Sequence, residues 1–274
     1  MILERTYEYI LKLPNFRGKA RIDEALRHFL RPKVSRIIHD IAMELDPEEW
    51  LQIDLRKFGR LEPRTTAAFE RILKHGGICV DVGAHIGYHA MLACHLVGTS
   101  GQVFAIDPQP YNCNRLLINA GLNRFANCTV VVAAVGCSEG FVSLKKQSRR
   151  DASRLTVQGS GPNDEAVLFL VPLITLAWLF RRYALHRVDL LKLDVEGSEL
   201  EVLQGIRETL DSIENIIFEI LPGEDQYRAQ QIEALLRASG FQLFDMDGNE
   251  WHCGLPCVEN NVLACRTGMS NPCP

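Results

Sequence analysis

The chain has 274 residues, 47% hydrophobic and 23% charged, enough for one large domain and a small appendage. Its net charge of −4 argues against a dedicated nucleic-acid binder. Nine scattered cysteines without a paired framework exclude a disulfide-stapled scaffold, and with no secretory signal at the start they point to a reducing cytoplasm.

Residues 1–62 lack strand–helix alternation. Their apolar spacing (Ile22, Leu26, Phe29, Leu30, Val34, Ile37, Ile38, Ile41), broken by Pro32 and Pro47, predicts a helical N-terminal section that packs on a main domain spanning 63–274 or covers its mouth. Residues 1–40 carry nine Lys/Arg against five Asp/Glu. That fits a solvated helical face, or a patch for an acidic acceptor or an anionic surface.

From Pro63 short apolar strands alternate with helices. The pattern predicts a helix over 64–74, a strand at 78–82, a glycine turn, and a helix through Val97. A strand at 102–106, a helix over 110–120 and a strand at 129–133 follow. Two further strands, 141–145 and 167–173, flank a polar excursion at 147–164. A strand at 188–193, a helix at 198–203, a strand at 213–220, a helix at 226–239 and strands at 241–245 and 261–265 complete the chain. Such alternation means a mostly parallel sheet covered on both faces, an α/β class, with an antiparallel pair at one edge. The longest apolar run, Val167 to Phe180, contains Pro172 and falls short of the ~20 residues that span a bilayer. No transmembrane segment is expected. Cys253-x-x-x-Cys257 has no second ligand pair at a matching distance, so zinc is not expected there.

The most informative stretch is Val80-Asp81-Val82-Gly83-Ala84-His85-Ile86-Gly87. Gly83 and Gly87 let the backbone turn sharply between strand and helix and let a ligand approach. The spacing is not the Gly-x-Gly-x-x-Gly of a nicotinamide oxidoreductase. An acidic residue two positions before the turn would repel a pyrophosphate but suits a positive group. The charge logic therefore favours S-adenosylmethionine over a dinucleotide. Asp107 ends the next strand twenty residues after Gly87, where a carboxylate can accept ribose hydroxyls, and Pro108 stops that strand.

Four stretches resemble the FkbM-type methyltransferases of class I: Val80 to Tyr88, Phe104 to Pro110, Ala134-Val135-Gly136, and Leu191-Lys192-Leu193-Asp194-Val195-Glu196-Gly197-Ser198-Glu199. Leu61-Glu62-Pro63 resembles that family's approach to its first motif. The resemblance implies a Rossmann-like, seven-stranded sheet with a reversed edge strand. It implies S-adenosylmethionine as donor and O-methylation of sugars or polyketide-type natural products. By position it puts Asp81, Gly83 and His85 (with Ala84 and Gly87) beside the methionine part, Asp107 and Pro108 at the ribose, and Ala134 and Val135 beside the adenine. Asp194 and Glu196 fall at the reacting end. His85 replaces a frequent Asn of the family, and Thr175-Leu176-Ala177 lacks its usual Asp.

Methyl transfer to a hydroxyl needs alignment and a base within reach. Asp194 and Glu196 are the first candidates, sharing a proton or holding a divalent cation; alternatively Glu196 or Glu199 caps the next helix. His89, four residues after His85, is a second candidate base on the same helical side. Lys192 points to the same side of its strand as Asp194, where the two can pair, and Glu219 ends the next strand, either as a contact to the acceptor or another wall group or as an ordinary strand end. Trp251, in the loop 249–252, is an aromatic wall for a sugar or a buried core residue. The expected acceptor is a small molecule or saccharide; RNA or protein acceptors and a non-catalytic nucleoside-binding partner are the alternatives. Sequence leaves metal dependence and oligomeric state open.

Overall fold

The computed structural model describes residues 6, 9–10, 13–14, 16–19, 21–22, 33–47, 49–146, 155–158, 167–220 and 226–267. Predicted helix positions Leu26, Phe29 and Leu30 lie outside them. Val34 to Ile41 are described and form no α-helix. β1 (Lys33–Arg36) and β2 (Ala42–Leu45) form an antiparallel hairpin across a short 3-10 turn. The β-branched Val34, Ile37, Ile38 and Ile41 match a helical stripe in spacing, yet Lys33 to Arg36 alternate half-buried and exposed, the two-residue period of a strand. The free edge of β2 is satisfied by side chains: Ala42 N–H donates to Asn123 and Glu44 N–H to Asn119, both at 2.8 Å. α1 (Trp50–Phe58) follows and ends at Gly59 in the left-handed conformation.

The main domain opens with α2 (Pro63–Ile72), then β3 (Ile78–Val82), α3 (Tyr88–Val97), β4 (Gln102–Asp107), α4 (Pro110–Leu122) and β5 (Cys128–Val132). A smaller sheet comes next: β6 (Ala134–Val135), β7 (Gly140–Lys146), β8 (Leu155–Gln158) and β9 (Val167–Ile174). β7 and β9 pair antiparallel, as their flanking of the polar excursion predicts, and β8 adds to β7; the rest of that excursion lies outside the described residues. Thr175 caps α5 (Leu176–Tyr183) through its hydroxyl, so the long apolar run is a strand leading into a helix. β10 (Leu190–Leu193), α6 (Glu199–Gly205), β11 (Asn215–Glu219), α7 (Gln226–Ala238), β12 (Phe241–Asp245) and β13 (Asn261–Arg266) complete the chain.

The seven-stranded sheet has the order β12-β13-β11-β10-β3-β4-β5. β13 alone runs against its neighbours and sits one place inside the edge. Successive side chains point to opposite faces, so the sheet carries two cores. Cys79, Val103, Ala105 and Ile217 face one with α2 and α3; Val80, Phe104, Leu191 and Phe218 face the other with α5, α6 and α7. Parallel order sends the carboxyl ends of β3, β4 and β10 to one rim, where ligands bind in open α/β sheets. Among the described residues no helix is long and apolar enough to cross a membrane. Cys265 is disulfide-bonded; the other described cysteines are free thiols.

Candidate functional site

The glycine turn is built by contacts that exclude a side chain. Gly83 has φ +81°, and a Cβ there would stand 1.8 Å from the Asp194 carbonyl oxygen. The tips of β3 and β10 therefore touch through backbone. Gly83 and Ala84 N–H both donate to Ile106 O, at 2.8 and 3.0 Å. Gly87, at φ +93°, precedes the first turn of α3 with Leu116 packed where its Cβ would be. His85 lies between the two glycines, with φ +50°, a conformation costing a non-glycine residue about 1–3 kcal/mol. Because it precedes α3, it does not share a helical side with His89, contrary to the spacing argument. Burial lowers His85 to about 4.

Asp107 is 5% exposed and already engaged. Its Oδ1 accepts Gln109 N–H at 2.8 Å and Asn112 Nδ2 at 3.1 Å; its Oδ2 accepts His85 N–H at 2.9 Å. Burial lifts it to about 6 against those bonds. With two lone pairs per oxygen, Oδ2 keeps an acceptor position. Pro108 follows directly, and Ala133 N–H bonds to Asp107 O. Ala134 and Val135 are buried on β6, in the smaller sheet, and are not brought to the cavity described next.

A cavity of about 60 Å³ opens beside the turn. Its walls are α1 (Leu51, Gln52, Leu55), Glu62, Asp81, the turn from Gly83 to Ile86, His89, Lys192 and Asp194. Asp81 is 1% exposed, and both its carboxylate oxygens are buried without a hydrogen-bond partner among the described residues. Lys192 stands opposite Asp81 in the β3–β10 register, but its ammonium is turned to Asp194 Oδ2 at 2.8 Å, the pairing the strand geometry predicts. Burial lifts Asp81 to about 6, partly offset by the Lys192 charge. Lys192 itself is lowered by burial, but Asp194, Asp81 and Glu62 outweigh this and hold it above the usual lysine range, fully charged.

Glu196 is exposed in the turn after β10, at φ +54°, and does not line the cavity. Glu199 folds back onto that turn, accepting Val195 N–H at 3.0 Å and Gly197 N–H at 3.4 Å. Glu219 is pushed up to about 8 by burial first, then by the charges of Asp194, Glu196 and Glu199. Among the described residues no three His, Cys, Asp or Glu side chains are grouped to hold a metal ion, so the Asp194–Glu196 metal site gains no support. His89 is buried and stacked on Phe69 at 4.9 Å; burial drives it well below the usual histidine range. Trp251 is a core residue rather than an acceptor wall. It is 2% exposed, packs edge-on to Phe218 and donates to Leu255 O.

Glu62 was not among the residues singled out for chemistry. It reaches the cavity from the N-terminal side, one third exposed at the mouth. Burial followed by the Asp194 and Glu259 charges raises it, against Lys192. The only sequence signal was its place before Pro63.

A hexuronic acid methyltransferase, AglP, of Haloferax volcanii is 30% identical over 149 residues, 53% of this chain and 56% of that protein. The chain thus spans little more than half of that relative. The methyltransferase sdnD of Sordaria araneosa is 28% identical over 200 residues, 63% of this chain and 76% of that protein. Among solved structures, M. jannaschii TYW2 in complex with AdoMet aligns at 11% identity with a TM-score of 0.47, covering 85% of this chain and 84% of that one. The sequence profile of the methyltransferase FkbM domain matches residues 81–243, well over half of the 274, and the chain accordingly belongs to the FkbM-domain methyltransferases.

Proposed function

We propose that the chain is an S-adenosylmethionine-dependent O-methyltransferase acting in the cytoplasm on a hydroxyl of a sugar or natural-product acceptor. The observation that carries this is Asp81: a fully buried carboxylate with no partner among the described residues, at a strand tip beside a glycine turn. A buried charge without a partner is costly, and a cationic ligand removes that cost. S-adenosylmethionine, when bound, supplies a methyl group activated by a positive sulfur. The sugar part of the acceptor class is supported by one relative, a hexuronic acid methyltransferase.

In this reading Asp81, Gly83, Ala84, His85 and Gly87 hold the amino-acid end of the donor. The open position on Asp107 Oδ2 takes a ribose hydroxyl next to Pro108, and Ala134 and Val135 flank the base. Asp194 stands at the mouth, one third exposed and 2.8 Å from the Lys192 ammonium, so it takes the proton of the acceptor hydroxyl, with Glu196 on the solvent side. His89, buried and stacked on Phe69, is not given the role of base in this reading. Within the N-terminal section, α1 and Glu62 form the cover, since they supply one side of the cavity.

Calorimetric titration with S-adenosylmethionine tests the donor, and transfer of a tritiated methyl group to a panel of uronic acids, neutral sugars and polyketide alcohols tests the acceptor. Absence of binding heat removes the reading. Labelling of RNA or protein but of none of the alcohols replaces the acceptor class.

A further inference from the structure

We infer that Glu62, Asp81 and His89 form a three-acceptor recess for the α-ammonium group of the methyl donor, with Asn261 as the positioning residue for Glu62. This rests on the donor proposed above and adds two residues, from outside β3 and its turn, to its recognition.

The backbone at Glu62 is the first sign. A residue before proline avoids helical conformations, and Glu62 is held at φ 40°, ψ 71°, a left-handed conformation that is strained for a residue with a side chain. What it gains is direction: the side chain lines the cavity. Asn261, 3% exposed, donates to Glu62 Oε2 at 3.1 Å and to Thr65 Oγ1 at 3.0 Å. A buried amide from β13 thus fixes a carboxylate that belongs to the N-terminal side of the chain.

The second sign is what Glu62 faces. His89 Nε2 lies 3.8 Å from Glu62 Oε2, too far for a hydrogen bond, and is buried with no hydrogen-bond partner among the described residues. Both oxygens of Asp81 are in the same state. An unsatisfied buried polar group is costly, so several around one small void describe a recess awaiting donors. A primary ammonium carries three donors and no acceptor; a neutral imidazole accepts at the nitrogen without a proton. The charges agree. Glu62, Asp81 and Asp194 face the cavity with Lys192 as their cation, and Lys192 is bonded to Asp194. The cavity of about 60 Å³ has room for an ammonium head group. The sulfonium centre has no N–H to offer, so the α-ammonium is the part of the donor that fits.

The test is calorimetric binding near neutral pH of S-adenosylhomocysteine and of its analogue with hydrogen in place of the α-amino group, to the wild-type chain and to Glu62→Gln. Both ligands lack the transferable methyl, so the readout is independent of activity. The wild-type chain is expected to bind S-adenosylhomocysteine on the order of 10- to 100-fold more tightly than the analogue, the span of one charge-assisted hydrogen bond. Glu62→Gln should weaken S-adenosylhomocysteine by about tenfold and leave the analogue unchanged, which also certifies that the variant is folded. Equal wild-type affinities for the two ligands overturn the recess while sparing the donor. A Glu62→Gln chain that weakens both equally overturns the part assigned to Glu62. Failure of S-adenosylmethionine and both analogues to bind the wild-type chain overturns the proposed function itself.

Discussion

Asp107 Oδ2 accepts the backbone N–H of His85 at 2.9 Å, so the carboxylate that ends β4 holds the turn that ends β3. The same side chain accepts two further bonds, from Gln109 and Asn112. A residue placed by sequence at the ribose is also the clasp between the two strand tips. Asp107→Ala should therefore lower stability together with donor affinity, instead of leaving the fold intact. One charged hydrogen bond is worth about 1.5–3 kcal/mol. A loss near 3 kcal/mol lowers the melting temperature of a chain this size by roughly 6–12 °C. Thermal melts beside donor titrations check this; an unchanged melting temperature with lost binding would assign Asp107 to the ligand alone.

Gly83 and Asp194 meet through backbone, and the consequence is sharp. Gly83→Ala would put a methyl 1.8 Å from the Asp194 carbonyl oxygen at φ +81°, so β3 and β10 must part. Gly121, on the exposed side of α4, has nothing within 4 Å of an added Cβ, and alanine there is expected to be neutral or to stabilise by up to about 1 kcal/mol. Urea midpoints of the two variants should move in opposite directions, Gly83→Ala falling or failing to fold. Equal midpoints would refute the strand-tip contact.

The main sheet was legible because its strands are short apolar runs cut by Gly and Pro: Ile78 to Val82 and Phe241 to Asp245 have the same bounds in sequence and structure. The hairpin at 33–45 was not, since Val34, Ile37, Ile38 and Ile41 satisfy a helical stripe as well as two strands around a turn. Spacing was a fair guide for Asp81, Asp194 and Lys192, whose strand positions dictate which way they point. It failed for Trp251, where aromaticity alone does not separate a core residue from a stacking wall. Glu62 was illegible for a different reason: its partner Asn261 is 199 residues away, and only the folded register of β13 brings the two together.

Glu259 supplies the N-terminal cap of α2 from the far end of the chain. Its carboxylate accepts Arg64 N–H and Thr65 N–H, both at 2.9 Å, and the Thr65 hydroxyl at 2.9 Å. A carboxylate there satisfies orphan donors and meets the positive end of the helix. Glu259→Ala should cost about 1–2 kcal/mol, and because α2 begins next to Glu62 it should also weaken donor binding. Glu259→Gln, which keeps one acceptor, should fall between. Denaturant titration of the three chains gives the order; Gln matching Ala would show that charge, not hydrogen bonding, makes the cap.

Donor affinity should fall with acid because the recess must be ionised to hold a cation. Burial lifts Asp81 to about 6, and Glu62 is raised as well. A cation bound beside Asp81 favours its ionised form, so binding lowers that pKa and, near pH 6, expels a proton. Affinity should be level above about pH 7 and fall by up to about tenfold per unit below pH 6. His85, at about 4, and His89, well below its usual range, stay neutral through this window, and Lys192 stays charged, so none of them shapes the curve. Asp107, also near 6, and Glu62, raised by burial, are further contributors. Calorimetry in two buffers of different ionisation enthalpy counts the protons released, and Asp81→Asn separates the two aspartates. The acid limb should flatten in that variant; a limb of unchanged steepness would move the titrating group to Asp107 or Glu62.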